Sequence, residues 1–80
     1  MYIFEKNDTT QIRVSVRQFK GKTFVDLRQW YRREENKADD KAWRPSQKGF
    51  TIPPDKWEDF KRGIEDEVDI TQVEPEEEIE

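Results

Sequence analysis

The stretch QIRVSVRQFKGKTFVDLRQWY, Gln11–Tyr31, decides the fold. From Gln11 to Phe19 the side chains alternate, with Ile12, Val14 and Val16 on one face and Arg13, Ser15, Arg17 and Phe19 on the other. A period of two marks a half-buried antiparallel strand, and the outer face of this one is basic. Lys20-Gly21 then supplies a tight hairpin, with glycine at a position that tolerates positive φ. Lys22 to Tyr31 alternates again, with Val25 and Leu27 inward and Lys22, Phe24, Asp26, Arg28 and Trp30 sharing the opposite face. Adjacent Trp30 and Tyr31 must point to opposite faces of a regular strand.

Working outward, Tyr2, Ile3 and Phe4 form a short opening strand, and Asn7 with Asp8 brings turn chemistry after it. Glu34 to Lys41 has six charges in eight residues and no apolar side chain larger than Ala38, the composition of an exposed connection. Trp43 to Ile52 reads as a fourth strand. Pro45 removes a ladder donor and Gly49 weakens the interior, so an edge position or a bulge near Lys48-Gly49 is expected, with Phe50 and Ile52 rejoining the core. Pro54 suits the first position of a helix, and Asp55 sits favourably at its positive end. Trp57, Phe60, Ile64 and Val68 recur at spacings of three and four and make one apolar stripe, with Gly63 a weak point in the helix. The expectation is an α+β domain over 1–70, strands first and a single helix last, followed by an acidic, disordered tail over 71–80.

At 80 residues the chain holds one small domain whose core is marginal by itself. It has no cysteine, hence no disulfide staple, and that raises the expectation of an oligomer. The absence of histidine and cysteine removes the usual general base, thiol nucleophile and commonest metal ligands. Asp39-Asp40 and Asp66 with Asp69 lack the ordered oxygen spacing of a calcium loop. No enzyme activity, cofactor or metal is expected. With no basic run leading into a long apolar stretch, neither a signal peptide nor a membrane span is expected, which points to the cytoplasm.

The net charge of −4 hides a division. Residues 1–62 carry all 15 Lys and Arg against 10 acids, whereas the remainder carries 9 acids and no base. Between Thr10 and Arg33, Arg13, Arg17, Lys20, Lys22, Arg28, Arg32 and Arg33 face one acid, Asp26. Such a stretch is an electrostatic footprint for a polyanion. In Arg17-Gln18-Phe19-Lys20-Gly21-Lys22 an aromatic stands among cations at a hairpin tip, and Arg28-Gln29-Trp30-Tyr31-Arg32-Arg33 repeats the combination at the end of the next strand. Single-stranded nucleic acid asks for both: cations along its phosphates, and rings for unpaired bases, worth about 1–3 kcal/mol each. A solvated charged face with the aromatics packed inward is the plain alternative, and Trp57 in particular reads as a core residue of its helix.

These residues resemble the single-stranded DNA-binding domain of transcriptional positive cofactor 4 and its compact prokaryotic relatives. The resemblance rests on Val14-Ser15-Val16-Arg17-Gln18-Phe19-Lys20-Gly21-Lys22, Val25-Asp26-Leu27-Arg28-Gln29-Trp30-Tyr31, Arg44-Pro45-Ser46-Gln47-Lys48-Gly49 and Pro54-Asp55-Lys56-Trp57, in order. It implies a four-stranded, curved antiparallel sheet followed by one helix. It also implies a homodimer paired through the helices, over Trp57, Phe60, Ile64 and Val68. By position, the nucleic-acid contacts it implies fall on Arg17, Phe19, Lys20, Lys22, Arg28, Tyr31, Pro45 and Lys48, the cations on phosphate and Phe19 and Tyr31 on bases. Tyr31 stands where the family has tryptophan, with tyrosine typical just before it, so Trp30 shares or takes the stacking role. Gln47 stands where an additional cation can occur in the family, and Ser46 replaces a glycine. The Ser/Lys-rich regulatory region of eukaryotic members does not precede the domain here, which fits a prokaryotic-type member.

Stacking and phosphate contacts carry little base identity, so the expected activity is sequence-tolerant binding of single-stranded or locally melted DNA. Transcription machinery is a further partner that the resemblance implies. The alternatives are an RNA-binding module and a protein-interaction adaptor that docks an acidic partner on the same basic surface. The acidic tail would fold back on that surface transiently, or simply solvate the domain.

Overall fold

The computed structural model describes residues 1–69, 71, 72, 74 and 75. Four strands, β1 (Tyr2–Asn7), β2 (Thr10–Phe19), β3 (Lys22–Tyr31) and β4 (Arg44–Ile52), precede one helix, α1 (Pro54–Glu67). They form one open, curved antiparallel sheet in the order β1-β2-β3-β4, each strand paired with its neighbour in the chain. The expected architecture is therefore the observed one. The tail expected over 71–80 falls largely on residues outside those described, as do Ile70 and Val73.

The central hairpin follows the alternation. Phe19 pairs with Lys22, Arg17 with Phe24, Val16 with Val25, Val14 with Leu27 and Gln11 with Trp30, so opposed residues share a face. Lys20 and Gly21 have φ of 52° and 77°, the two positive values of a type I′ turn, whose twist matches that of the strands it joins. Only Gly21 adopts this conformation freely; Lys20 carries a Cβ into it.

β4 lies at the sheet edge, where Pro45 leaves no ladder bond unmade. Arg28 opposes Gly49 and Trp30 opposes Pro45, so two steps along β3 correspond to four along β4 and the edge strand bulges over Ser46–Lys48. Gly49 permits the close approach that follows. A Cβ there would stand 2.5 Å from the Leu27 carbonyl oxygen and 3.0 Å from Arg28 Cα.

Helix α1 begins with Pro54 at its first position, as expected, and crosses the face that carries Val14, Val25 and Ile52. Phe60 meets Phe50 edge to face with ring centroids 6.1 Å apart, and Trp57 lies 5.9 Å from Phe60. Trp57 is half-buried against the sheet, in keeping with a packing role. The apolar stripe is shorter than its spacing suggests. Val68 is the extended residue that caps the helix, with φ −80° and ψ 102°, and lies outside it. The last turn carries Glu65, Asp66 and Glu67 and no base, which opposes the negative end of the helix dipole and favours termination there.

The core is thin. Only Val25, Trp43 and Ile52 are buried apolar residues among those described, and no residue of α1 is buried. Trp43, expected to open the fourth strand, instead precedes β4 and anchors the connection. The Arg32 guanidinium lies 4.3 Å from its ring centroid. The connection itself, expected to be a plain exposed loop, contains a short 3-10 turn over Glu34–Asn36. No helix among the described residues is long and apolar enough to cross a membrane.

Candidate nucleic-acid interface

The face of the sheet opposite α1 gathers the cationic residues of the central hairpin. Arg13, Arg17 and Lys22 lie on it with Arg28, and Phe19, Phe24 and Trp30 supply its aromatic rings, as the pairings Arg13 with Arg28, Arg17 with Phe24 and Phe19 with Lys22 require. Phe19 stands at the tip, 64% exposed, and the Lys20 ammonium sits 5.4 Å from its ring centroid. A ring on a rigid two-residue hairpin, flanked by cations, is ready to stack without first being uncovered.

Asp26 is the sole acid of the hairpin and is buried in the middle of this face. Arg28 donates from Nη2 to Asp26 Oδ1 at 2.9 Å and from Nε to Oδ2 at 3.3 Å. Its Nη1 donates to the Ser46 carbonyl oxygen at 3.0 Å. Ser46 Oγ in turn donates to the Gln29 carbonyl oxygen at 2.8 Å and accepts from the Lys48 amide. Arg28 is thus a clamp that joins β3 to the bulge of β4, and most of its donors are engaged within the protein. Arg17 differs. Its side chain is more than half exposed, and its Nη1 stands 4.0 Å from Asp26 Oδ2, beyond hydrogen-bond reach, which leaves its donors available to phosphate.

Trp30 is half-buried beside Arg13, whose guanidinium lies 3.8 Å from the ring centroid. Arg13 Nε donates to Gln11 Oε1 at 3.0 Å, and Gln11 Nε2 donates to Glu5 Oε1 at 3.2 Å, so a buried amide holds the cation in place. Pro45 is exposed directly across from Trp30. Tyr31 and Lys48 are not brought to this face. Tyr31 projects from the other side of β3 and lines a cleft with Arg33, Lys41 and Arg44. Lys48, on the bulge, borders an apolar groove formed with Ile12, Leu27 and Phe50.

Arg13 and Phe24 belong to the surface although no motif singled them out. The signal was present in the alternation, which places Arg13 with Arg17 and Phe24 with Arg28. Among the described residues no group of three or more potential metal-ligating side chains comes together.

Fold and surface together define a class: a small helix-backed antiparallel sheet with an exposed cationic and aromatic face, a nucleic-acid-binding domain by its chemistry. The profile of the family described as Transcriptional Coactivator p15 (PC4) matches residues 6–63. The chain belongs to that family, a non-enzymatic nucleic-acid-binding family associated with single-stranded DNA and transcription.

Proposed function

We propose that the protein binds single-stranded or locally melted DNA with little regard to base sequence, as a homodimer, through the face of the sheet that carries Arg17, Phe19, Lys22 and Trp30. One observation supports this reading most directly: an exposed Phe19 ring at a rigid hairpin tip, with Arg17, Lys20 and Lys22 around it. Duplex DNA hides the base faces that such a ring takes, whereas a single strand offers them, along with phosphates to the cations. The process served is transcription or the handling of exposed strands, in the cytoplasm or on the nucleoid.

The dimer is supported by the other face. Ile12, Val16, Phe50 and Ile64 are all exposed on the chain alone, around the half-buried Trp57 and Phe60. An apolar surface of that kind on an 80-residue chain with three buried apolar residues among those described is the sort that a second copy covers. Trp57, Phe60 and Ile64 on α1 would lie in that interface, with Val68 at its margin.

The test is titration of a fluorescent, unstructured oligonucleotide of about 20 bases, longer than the roughly 4–16 nucleotides that a single-strand-binding OB fold covers, beside a duplex of equal length across a salt series. Preference for the strand that weakens with salt and collapses in an Arg17→Ala, Phe19→Ala double variant is the expected result. Equal, weak binding of strand and duplex would refute it, and a matched RNA strand that competes better than DNA would reassign the ligand.

A further inference from the structure

Arg13 belongs to none of the motifs on which the family resemblance rests, yet the fold gives it a fixed place on the basic face. Its neighbours across the strands are Ile3 on β1 and Arg28 on β3. Ile3 is apolar, and Arg28 turns its donors to Asp26 and to the Ser46 carbonyl oxygen. The Arg13 guanidinium lies over the half-buried indole of Trp30, 3.8 Å from the ring centroid. A guanidinium in contact with a ring keeps its edge for hydrogen bonds.

The two ends of that edge differ. Nε donates to Gln11 Oε1 at 3.0 Å, and Gln11, only 4% exposed, donates in turn from Nε2 to Glu5 Oε1 at 3.2 Å. Nη1 and Nη2 have no hydrogen-bond partner, and no acid within salt-bridge distance, among the described residues. Nor are they enclosed. No buried side-chain nitrogen or oxygen among the described residues lacks a partner, so these two reach solvent. A buried amide therefore holds one end of the guanidinium and leaves the other as a pair of open donors.

The cations nearer the hairpin tip stand differently. Arg17 and Lys22 are exposed, with no ring or amide to hold them. A strand whose bases lie against the rings of the sheet carries its phosphates beyond those bases, where long exposed cations reach them. A half-buried guanidinium packed on an indole meets base edges first. Two fixed donors are both satisfied only by two acceptors side by side in the plane of a base. Guanine offers O6 and N7. Cytosine offers O2 and N3, because an unpaired base also exposes its Watson–Crick edge. On adenine and thymine each such acceptor is next to a donor or a methyl group.

We infer that Arg13 reads one base of the bound single strand, Nη1 and Nη2 donating to two adjacent acceptors of guanine or cytosine, so that strands carrying these bases are preferred to thymine alone. This rests on the single-strand reading above and gives it a base preference that stacking and phosphate contacts do not supply.

The experiment titrates the full chain with four strands of about 20 bases: oligothymidylate, alternating guanine and thymine, alternating cytosine and thymine, and alternating 7-deazaguanine and thymine. The same titrations follow with Arg13→Lys, which keeps the charge and removes the fork, once thermal unfolding has verified that the variant is folded. The unsubstituted chain should bind the guanine or the cytosine strand at least about threefold more tightly than oligothymidylate, since every second register puts a preferred base on a fork that discriminates about fivefold or more. Arg13→Lys should bind these strands alike while still binding oligothymidylate.

The two sources of the acceptor pair are separated by the strands themselves. A guanine preference should fall away with 7-deazaguanine, which keeps the purine shape and lacks the N7 acceptor; its persistence there would overturn the fork. A cytosine preference that Arg13→Lys abolishes assigns the fork to O2 and N3. Equal affinity of the unsubstituted chain for all the strands, or a preference that survives Arg13→Lys, would overturn the inference and leave single-strand binding intact. If the unsubstituted chain binds no strand at all, the single-strand reading fails and the base preference with it.

Discussion

Arg13 sits 3.8 Å from the centroid of the Trp30 ring, held there by the buried Gln11 amide, so one side of the indole is already occupied by a cation. The Phe19 ring is more open: the residue is 64% exposed and the Lys20 ammonium stands 5.4 Å from its centroid. The two aromatics of the basic face therefore differ in what their removal should do.

Phe19→Ala should weaken strand binding by about 1–3 kcal/mol, the worth of one stacked base, with no change in Tm. Trp30→Ala should lower Tm as well, because it leaves Arg13 and Gln11 without the ring they pack on. Titration and thermal unfolding of both variants decide this. Equal losses of affinity at unchanged Tm would place Trp30 on the strand as directly as Phe19.

Lys20 has φ of 52° in a turn whose preferred first residue is asparagine. Lys20→Asn should raise stability by up to about 1 kcal/mol, the cost of a left-handed residue with an ordinary side chain. It should also weaken strand binding through the lost cation. Stability and affinity moving in opposite directions would show that the lysine is kept for its charge; a fall in both would refute the strain.

Gly49→Ala should destabilise the fold by about 1–3 kcal/mol, since the new methyl would press on the backbone of Leu27 and Arg28 and must push β4 outward. Chemical denaturation measures the loss. Because Arg28 clamps the same bulge through Ser46, Arg28→Ala should cost stability too, and a variant that lost only affinity would contradict the clamp.

Ile64→Glu tests the apolar face. The side chain is already exposed on the single chain, so the substitution costs the monomer little. Sedimentation should show a dimer for the unsubstituted protein and a monomer for the variant. Unchanged sedimentation of the two would refute pairing through α1.

The central hairpin was legible because a period of two, a Lys-Gly turn and a period of two again leave one register, Phe19 opposite Lys22. The edge strand and its bulge were legible from Pro45 and Gly49. What escaped depends on distant partners. Trp43 is buried because Arg32, eleven positions earlier, lies on its ring, and no local pattern announces that. Arg28 reads as a phosphate ligand in sequence, yet its donors meet Asp26 and a carbonyl oxygen that only the bulge brings near. Val68 continues the apolar spacing, but the acids around it end the helix first.

The sheet is a meander in which each strand pairs only with its neighbour along the chain. No long loop has to close before a ladder can form, so contact order is low for a protein built mostly of strands, and the chain should reach its monomeric shape quickly. Association of two copies, if they pair as proposed, would then be the slow step of maturation, and its rate would rise with protein concentration.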